Sequence, residues 1–200
     1  MNNQHMQSDI LAIRELMERS AKFISLSGLS GILAGCYALI GAGIAHLILQ
    51  RTAQRVDLIV QLGAIAVIVL LAAVLTAVLF STRRAQKAGR SVWNPASRAL
   101  LRAMAIPLVT GAAMVVIAIW QGYDALVIPV LLIFYGLSLI GGGQFTFNAI
   151  RGLGIVMTIL GLLAFAAPGY DLIFWSVGFG AFHILYGSLI YFKHERKGRD

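Results

Sequence analysis

Charge is what this sequence has least of. Of its 200 residues, 12% are Asp, Glu, Lys or Arg, against 59% apolar. A soluble domain carries about 25% charged and about 45–50% apolar residues. So little charge cannot cover a water-soluble globule of this size, which excludes that class. Cysteine is nearly absent as well. Cys36 stands alone, which rules out a disulfide framework and a thiolate metal site. The sequence has no His-Glu-x-x-His, no Gly-rich phosphate loop and no carboxylate-rich motif for a phosphoryl-transfer metal. No metal, no cofactor and no catalytic residue is therefore expected. The first 22 residues are polar and charged, where a signal peptide would already show its apolar stretch, so no cleavable signal is expected. No Asp, Glu, Lys or Arg lies in the middle of an apolar run. Proton or sodium coupling generally needs such groups, which argues against a coupled transporter.

What the chain does have is long apolar runs. Crossing about 30 Å of hydrocarbon at 1.5 Å per residue takes roughly 20 residues. Six segments qualify or nearly qualify: Phe23–Leu49, Leu58–Phe80, Ala103–Trp120, Ala125–Gly141, Gly152–Ala167 and Leu172–Phe192. The fourth and fifth are short and borrow residues from their flanks. The expected fold is all-α, a polytopic membrane protein with a bundle of six transmembrane helices over residues 23–192, built as three helical hairpins. Residues 1–22 form a cytoplasmic amphipathic helix: Ile10, Ile13, Leu16 and Met17 recur at helical spacing, and Glu15–Arg19 and Glu18–Lys22 are i,i+4 pairs. Residues 81–102 form a basic cytoplasmic linker and residues 193–200 a basic cytoplasmic tail. Within the linker, Trp93-Asn94-Pro95 reads as a helix start, with Asn94 as the cap and Pro95 in the first turn. Pro107 marks a place for a kink in the third span.

The net charge of +8 would suit nucleic acid if it lay on one face. It lies instead between and beyond the apolar runs, so the expected partners are the lipid bilayer and anionic lipid headgroups, and no nucleic acid. If the N-terminus is cytoplasmic, all of the 16 Lys and Arg except Arg51 and Arg55 fall on the inner side. Positive charge near span ends sets orientation, so both termini are expected in the cytoplasm. Trp120, Tyr123, Tyr170 and Trp175 then cluster near the outer boundary as an aromatic belt. Gly122-Tyr123-Asp124 is echoed by Gly169-Tyr170-Asp171, and Tyr135-Gly136-Leu137-Ser138 by Tyr186-Gly187-Ser188. The echo reads either as a parallel repeat of the last two hairpins or as shared turn chemistry.

Ser27, Gly31 and Gly35 fall on one stripe of the first span, and Ala34, Ala38 and Ala42 on a second. Small residues let helix backbones approach closely. The stripe serves packing inside the monomer or a homo-oligomer interface. Gly28-Leu29-Ser30-Gly31 also matches the GxSG of rhomboid proteases, and His183 lies in the last span. However, the motif sits in the first span, and the second span holds no His-x-x-x-Asn. Polar residues inside spans are few: His46, Gln61, His183 and, beside span four, Gln144. His183 and Tyr186 share a helix face, suited to an interhelical hydrogen bond or a cavity lining. Gly141-Gly142-Gly143 ends span four and Arg151 opens span five. One reading is a helix stop followed by Asn148 as a new cap. The other gathers Gln144, Asn148 and Arg151 around an anionic headgroup.

Met17-Glu18-Arg19-Ser20, Phe23-Ile24-Ser25-Leu26-Ser27-Gly28-Leu29-Ser30-Gly31, Ala105-Ile106-Pro107-Leu108-Val109, Phe134-Tyr135-Gly136-Leu137, Ile150-Arg151-x-Leu153-Gly154 and Tyr191-Phe192-Lys193-His194-Glu195-Arg196 carry a resemblance. Across nearly its whole length the chain resembles a family of small uncharacterised bacterial six-span inner-membrane proteins. The resemblance implies the bacterial inner (cytoplasmic) membrane and no known activity. The leading expectation is a non-enzymatic integral membrane protein that binds a membrane protein partner, itself or lipid. A small channel or uncoupled carrier needs a continuous polar stripe, which the spans lack. A membrane-embedded enzyme needs converging polar groups, which only His183 with Tyr186 or Ser30 would begin. The topology predicts that a C-terminal reporter active only in the periplasm stays silent; activity there would overturn the orientation.

Overall fold

The computed structural model describes residue 7, residues 27–87, residue 89 and residues 91–195. Apart from residue 7, the amphipathic helix expected over residues 1–22 lies outside the described residues, as does most of the expected basic tail. The first helix, α1, is Gly28–Arg51. It is followed by α2, Arg55–Lys87, and α3, Pro95–Gln121. A 3₁₀ turn at Asp124–Leu126 leads into α4, Val127–Gly142, and another at Gly143–Phe145 leaves it. Helix α5 is Asn148–Ala166. The last span, α6, covers Asp171–Lys193. Within α6, α-helical Asp171–Trp175 and His183–Ile190 flank a π-helical stretch, Ser176–Phe182. All six helices are long and apolar enough to cross a membrane, and no strand occurs among the described residues. The protein is an all-α, multi-pass integral membrane protein, as the composition predicts.

The helices pack in an order different from their sequence order. Helix α2 packs on α1, α1 on α6, α6 on α5 and α4, α5 on α4, and α4 on α3. Lipid tails are as apolar as leucine, so the contacts that hold such a bundle are close backbone approaches and polar bonds. Glycine supplies the first kind. A Cβ on Gly35 would stand 2.6 Å from the Gly180 carbonyl oxygen, and one on Gly31 3.1 Å from the Gly187 Cα. Gly28 meets the backbone of Gly187 and Tyr191 more closely still. The stripe Ser27, Gly31 and Gly35 therefore faces α6 of the same chain. Between α4 and α5 the same device recurs, with a Gly154 Cβ falling 2.6 Å from the Gly136 carbonyl. The echoed Tyr-Gly pairs thus share a job: Gly136 seats α4 on α5, and Gly187 seats α6 on α1. Gly122 and Gly169, in the echoed turns, both adopt left-handed backbone, with φ of 83° and 92°.

Helix α3 begins as its sequence predicts. The Asn94 side chain accepts from the Ser97 amide at 2.9 Å, and Ser97 Oγ accepts from the Asn94 amide at 3.0 Å. Farther on, Pro107 lacks the amide that would bond the Ala103 carbonyl. Helix α4 comes close at that gap. Gly141 lies against Ala103, where a Cβ would be 3.2 Å from its carbonyl oxygen, and Ser138 Oγ donates to the Met104 carbonyl at 3.2 Å.

The glycine run ends α4 at Gly142, as expected, but without a left-handed cap: Gly142 and Gly143 keep right-handed backbone, with φ of −66° and −60°. It also admits neighbours, with Gly142 against Met104 of α3 and Gly143 against the backbone of Arg151. Two local expectations need correction. Asn148 is not the cap of α5. Phe147 precedes that helix in extended conformation and offers no side-chain cap bond. Helix α2 outruns its apolar segment: at 33 residues it is roughly 50 Å long and passes into the basic stretch. Arg84 and Lys87 in its last turn oppose the negative end of the helix dipole, which favours that extension. At its other end, Arg55 makes a fork of two 2.7 Å bonds to the Asp124 carboxylate and a third to the Ile119 carbonyl. This clasp ties the start of α2 to the α3–α4 turn.

The glycine contacts predict a graded outcome. Gly35→Ile forces α1 from α6 and costs about 1–3 kcal/mol of overpacking. Gly43→Ile, at a position with nothing within 4 Å, leaves stability unchanged. Melting in detergent measures both. Equal melting temperatures, or a changed oligomeric state without a loss of stability, would contradict an intramolecular stripe.

Candidate functional site

Two places gather polar groups: the π-helical stretch inside the bundle and a groove at the end that carries most of the basic residues.

The first centres on His183. A π turn disturbs the regular i→i+4 ladder, and such turns recur at functional positions. Here the His183 amide bonds the Gly180 carbonyl, and the His183 ring bonds the Gly178 carbonyl, with Nδ1 3.0 Å away. A carbonyl only accepts, so Nδ1 carries the hydrogen in this arrangement. Nε2 is then the acceptor for the Tyr135 hydroxyl, 2.8 Å away on α4. Phe179 stacks beside both rings, and Trp175 packs on Phe179 with centroids 4.7 Å apart. The Trp175 indole donates to the Ala38 carbonyl of α1 at 3.3 Å. One buried imidazole thus joins α4 to α6, and the aromatic cluster carries the link to α1. Among the described residues, no buried side-chain nitrogen or oxygen lacks a hydrogen-bond partner.

The other polar residues singled out in the sequence are dispersed around this unit. His183 finds its partner in Tyr135; Tyr186, on the same helix, packs instead against Gly152 of α5. Ser30 Oγ donates to the Ser27 carbonyl at 2.6 Å and does not meet His183, so no serine–histidine pair forms. His46 is exposed on α1 and bonds Gln50, one turn on, at 3.0 Å. Gln61 is exposed on α2. Thr158 and Ser176 bond carbonyls of their own helices.

The second place is a half-open groove of about 790 Å³ between the start of α5 and the end of α6. Its α5 side is Thr146, Phe147, Asn148 and Ala149; its α6 side is Leu185, Ser188, Leu189, Ile190, Phe192 and Lys193. From Leu185 to Lys193 the α6 wall rises roughly 12 Å. It is apolar at the Leu185 end and cationic at the Lys193 end. Among the described residues, no carboxylate lines the groove. At the same end, the Arg84 guanidinium of α2 lies over the Phe147 ring, 6.0 Å from its centroid. Of the three residues read as an anion site, Asn148 lines this groove, whereas Gln144 and Arg151 are exposed and are not among its walls. Sequence reasoning counted Lys193 and Arg84 among the topology and headgroup charges, not as members of a site. Nothing along the chain brings Arg84 to Phe147; only the length of α2 does.

The histidine unit predicts that Tyr135→Phe destabilises the protein. An interhelical hydrogen bond in a membrane averages about 0.6 kcal/mol, and a buried acceptor left without a donor adds up to about 1–3 kcal/mol. Thermal unfolding of Tyr135→Phe beside wild type measures this; equal midpoints would mean that the bond contributes nothing.

The geometry can be set beside known proteins. No curated protein matches the chain, and neither does any solved structure. Residues 18–141 match the TMEM128 protein family, a stretch that runs through α1, α2 and α3 and ends in α4. The groove's walls lie beyond that stretch, while Arg84 lies within it. With well over half of its length matched, the chain belongs to the TMEM128 protein family of membrane proteins.

Proposed function

We propose that this is a non-enzymatic membrane protein of the bacterial inner (cytoplasmic) membrane, with both termini cytoplasmic, that acts by binding an anionic lipid in the α5–α6 groove. The observation that carries the reading is the polarity of the groove. An amphiphile from the cytoplasmic leaflet has its phosphate toward the cytoplasm and its chain toward the membrane centre. The groove has the same order, with Lys193 and Asn148 at its mouth and Leu189 and Leu185 deeper along α6. The excess of basic residues at this end supports a cytoplasmic placement, because positive charge is retained on that side. Lipid is favoured over a second copy of the chain because the stripe of α1 that would suit helix pairing is already covered by α6. Lipid is favoured over a reaction because, among the described residues, the buried side-chain polar groups already have hydrogen-bond partners in the bundle.

A juxtamembrane cation contributes about 1 kcal/mol toward an anionic surface. Lys193→Gln is therefore expected to lower retention of anionic lipid about five-fold, with Asn148→Ala lowering it less. Arg151→Lys, outside the groove, keeps wild-type retention. Native mass spectrometry of protein purified with its lipids reads the result. Unchanged retention in Lys193→Gln would sink the proposal.

A further inference from the structure

We infer that the six spans form two three-helix units that rock against each other, and that the clasp between Arg55 and Asp124 at one end of the seam governs the groove at the other. The inference rests on the lipid reading above and adds the regulation of that site. Helices α1, α2 and α6 make one unit; α3, α4 and α5 make the other. Within each unit the helices pack extensively, whereas α6 meets α4 and α5 more sparsely. Glycine draws the same boundary. Among the described residues, each glycine whose Cβ would meet the backbone of a neighbouring helix does so within its own unit, as Gly35 meets Gly180 and Gly154 meets Gly136. Across the boundary, the nearest atoms to Gly178 and Gly152 belong to side chains, those of Leu132, Leu160 and Met157 and that of Tyr186. Phe179, Phe182 and Tyr186 of α6 fill the seam against a cluster that includes Leu132 and Met157. Backbones in contact hold two helices in one register, while a layer of long side chains lets packed helices slide.

Two polar links cross the seam. His183 and Tyr135 bond near mid-depth, 2.8 Å apart. From there Asp124 lies roughly 16 Å away along α4, and Lys193 of the groove roughly 15 Å away along α6 in the opposite direction. The clasp joins α2 of one unit to the α3–α4 turn of the other, through the Asp124 carboxylate and the Ile119 carbonyl. The groove opens at the far end of the same seam, between α5 and α6. A bond at mid-depth, with one end of the seam clasped and the other open, is a pivot: when the clasp parts, the α5 and α6 walls close. Both clasp side chains are about half exposed. An exposed ion pair is weak enough to break and re-form. Coupling between two sites is reciprocal. A lipid that holds the walls apart therefore favours the clasp, and the clasp favours the lipid.

The test places spin labels on the full-length protein in detergent, with Cys36→Ala to remove the native thiol. One pair, Gln50→Cys with Gln121→Cys, spans the seam at the clasp end. The other, Gln86→Cys with Gln144→Cys, spans it at the groove end, and all four positions are exposed. Distances between the labels are read for each pair by electron spin resonance. Asp124→Asn is expected to lengthen the first distance and shorten the second. It also weakens phosphatidylglycerol binding at least about five-fold, although Asp124 is not a wall of the groove. Arg55→Ala does the same, and the double variant no more, because both open one clasp. Phosphatidylglycerol added to the labelled protein without clasp substitutions moves both distances in the opposite sense, and phosphatidylcholine does not. Distances that stay fixed in Asp124→Asn, or that lengthen together at both ends, would overturn the rocking. If Asp124→Asn moves both distances as expected but phosphatidylglycerol moves neither, the lipid reading fails and the rocking stands.

Discussion

The contact between the backbones of α1 and α6 organises the molecule. Gly28, Gly31 and Gly35 on one side and Gly180 and Gly187 on the other remove the side chains that would hold two helices apart. In a bilayer no hydrophobic force pushes helices together, so such a contact must hold by dispersion and by polar bonds at close range. Helix α2 depends on it at second hand, because α2 packs along α1. Gly41 admits Val69 at that seam, and Tyr37 bonds Thr76 across it at 3.3 Å. The apolar face that α2 turns outward, including Val67, Ile68, Leu71 and Leu75, is then a surface for lipid.

The same contact sets the course of α6. Glycines at 178 and 180 sit in the π-helical stretch, where Leu132 of α4 packs on the first and Leu39 of α1 on the second. A π turn rotates the later turns of a helix relative to a regular path, and the His183 ring bonds the Gly178 carbonyl within it. The turns beyond His183 bring Leu185, Leu189 and Lys193 beside the start of α5. Packing inside the bundle and the groove at its basic end are thus two results of one helix path.

The spans were legible because hydropathy over some 20 residues is a strong signal, and the helix start at Asn94 was legible because capping is local chemistry. The glycine run was legible in part. Three consecutive glycines end α4 as expected, but Gly141, Gly142 and Gly143 also admit neighbours that the run itself does not name, Ala103, Met104 and Arg151. The same limit left the partner of His183 unnamed: an interhelical hydrogen bond was expected, and Tyr135, from another hairpin, makes it. Arg151 drew attention by being a lone charge in its connection. Lys193, in the groove wall, and Arg84, over the Phe147 ring, stood out less in the sequence, because both lie among other basic residues. Periodicity shows which residues share a helix face; it does not show which helix that face meets.

The central claim is that the α5–α6 groove is a lipid site, and it can be tested without assuming which lipid. A photoreactive amino acid at Leu189, which lines the groove and is 53% exposed, would mark whatever occupies it in native membranes. The mass of the adduct after irradiation is the measurement. An added mass of one phospholipid, reduced by an excess of anionic lipid, is the predicted result. An adduct to a second polypeptide, or a cross-link within this chain, would show that protein covers the groove and would contradict the account.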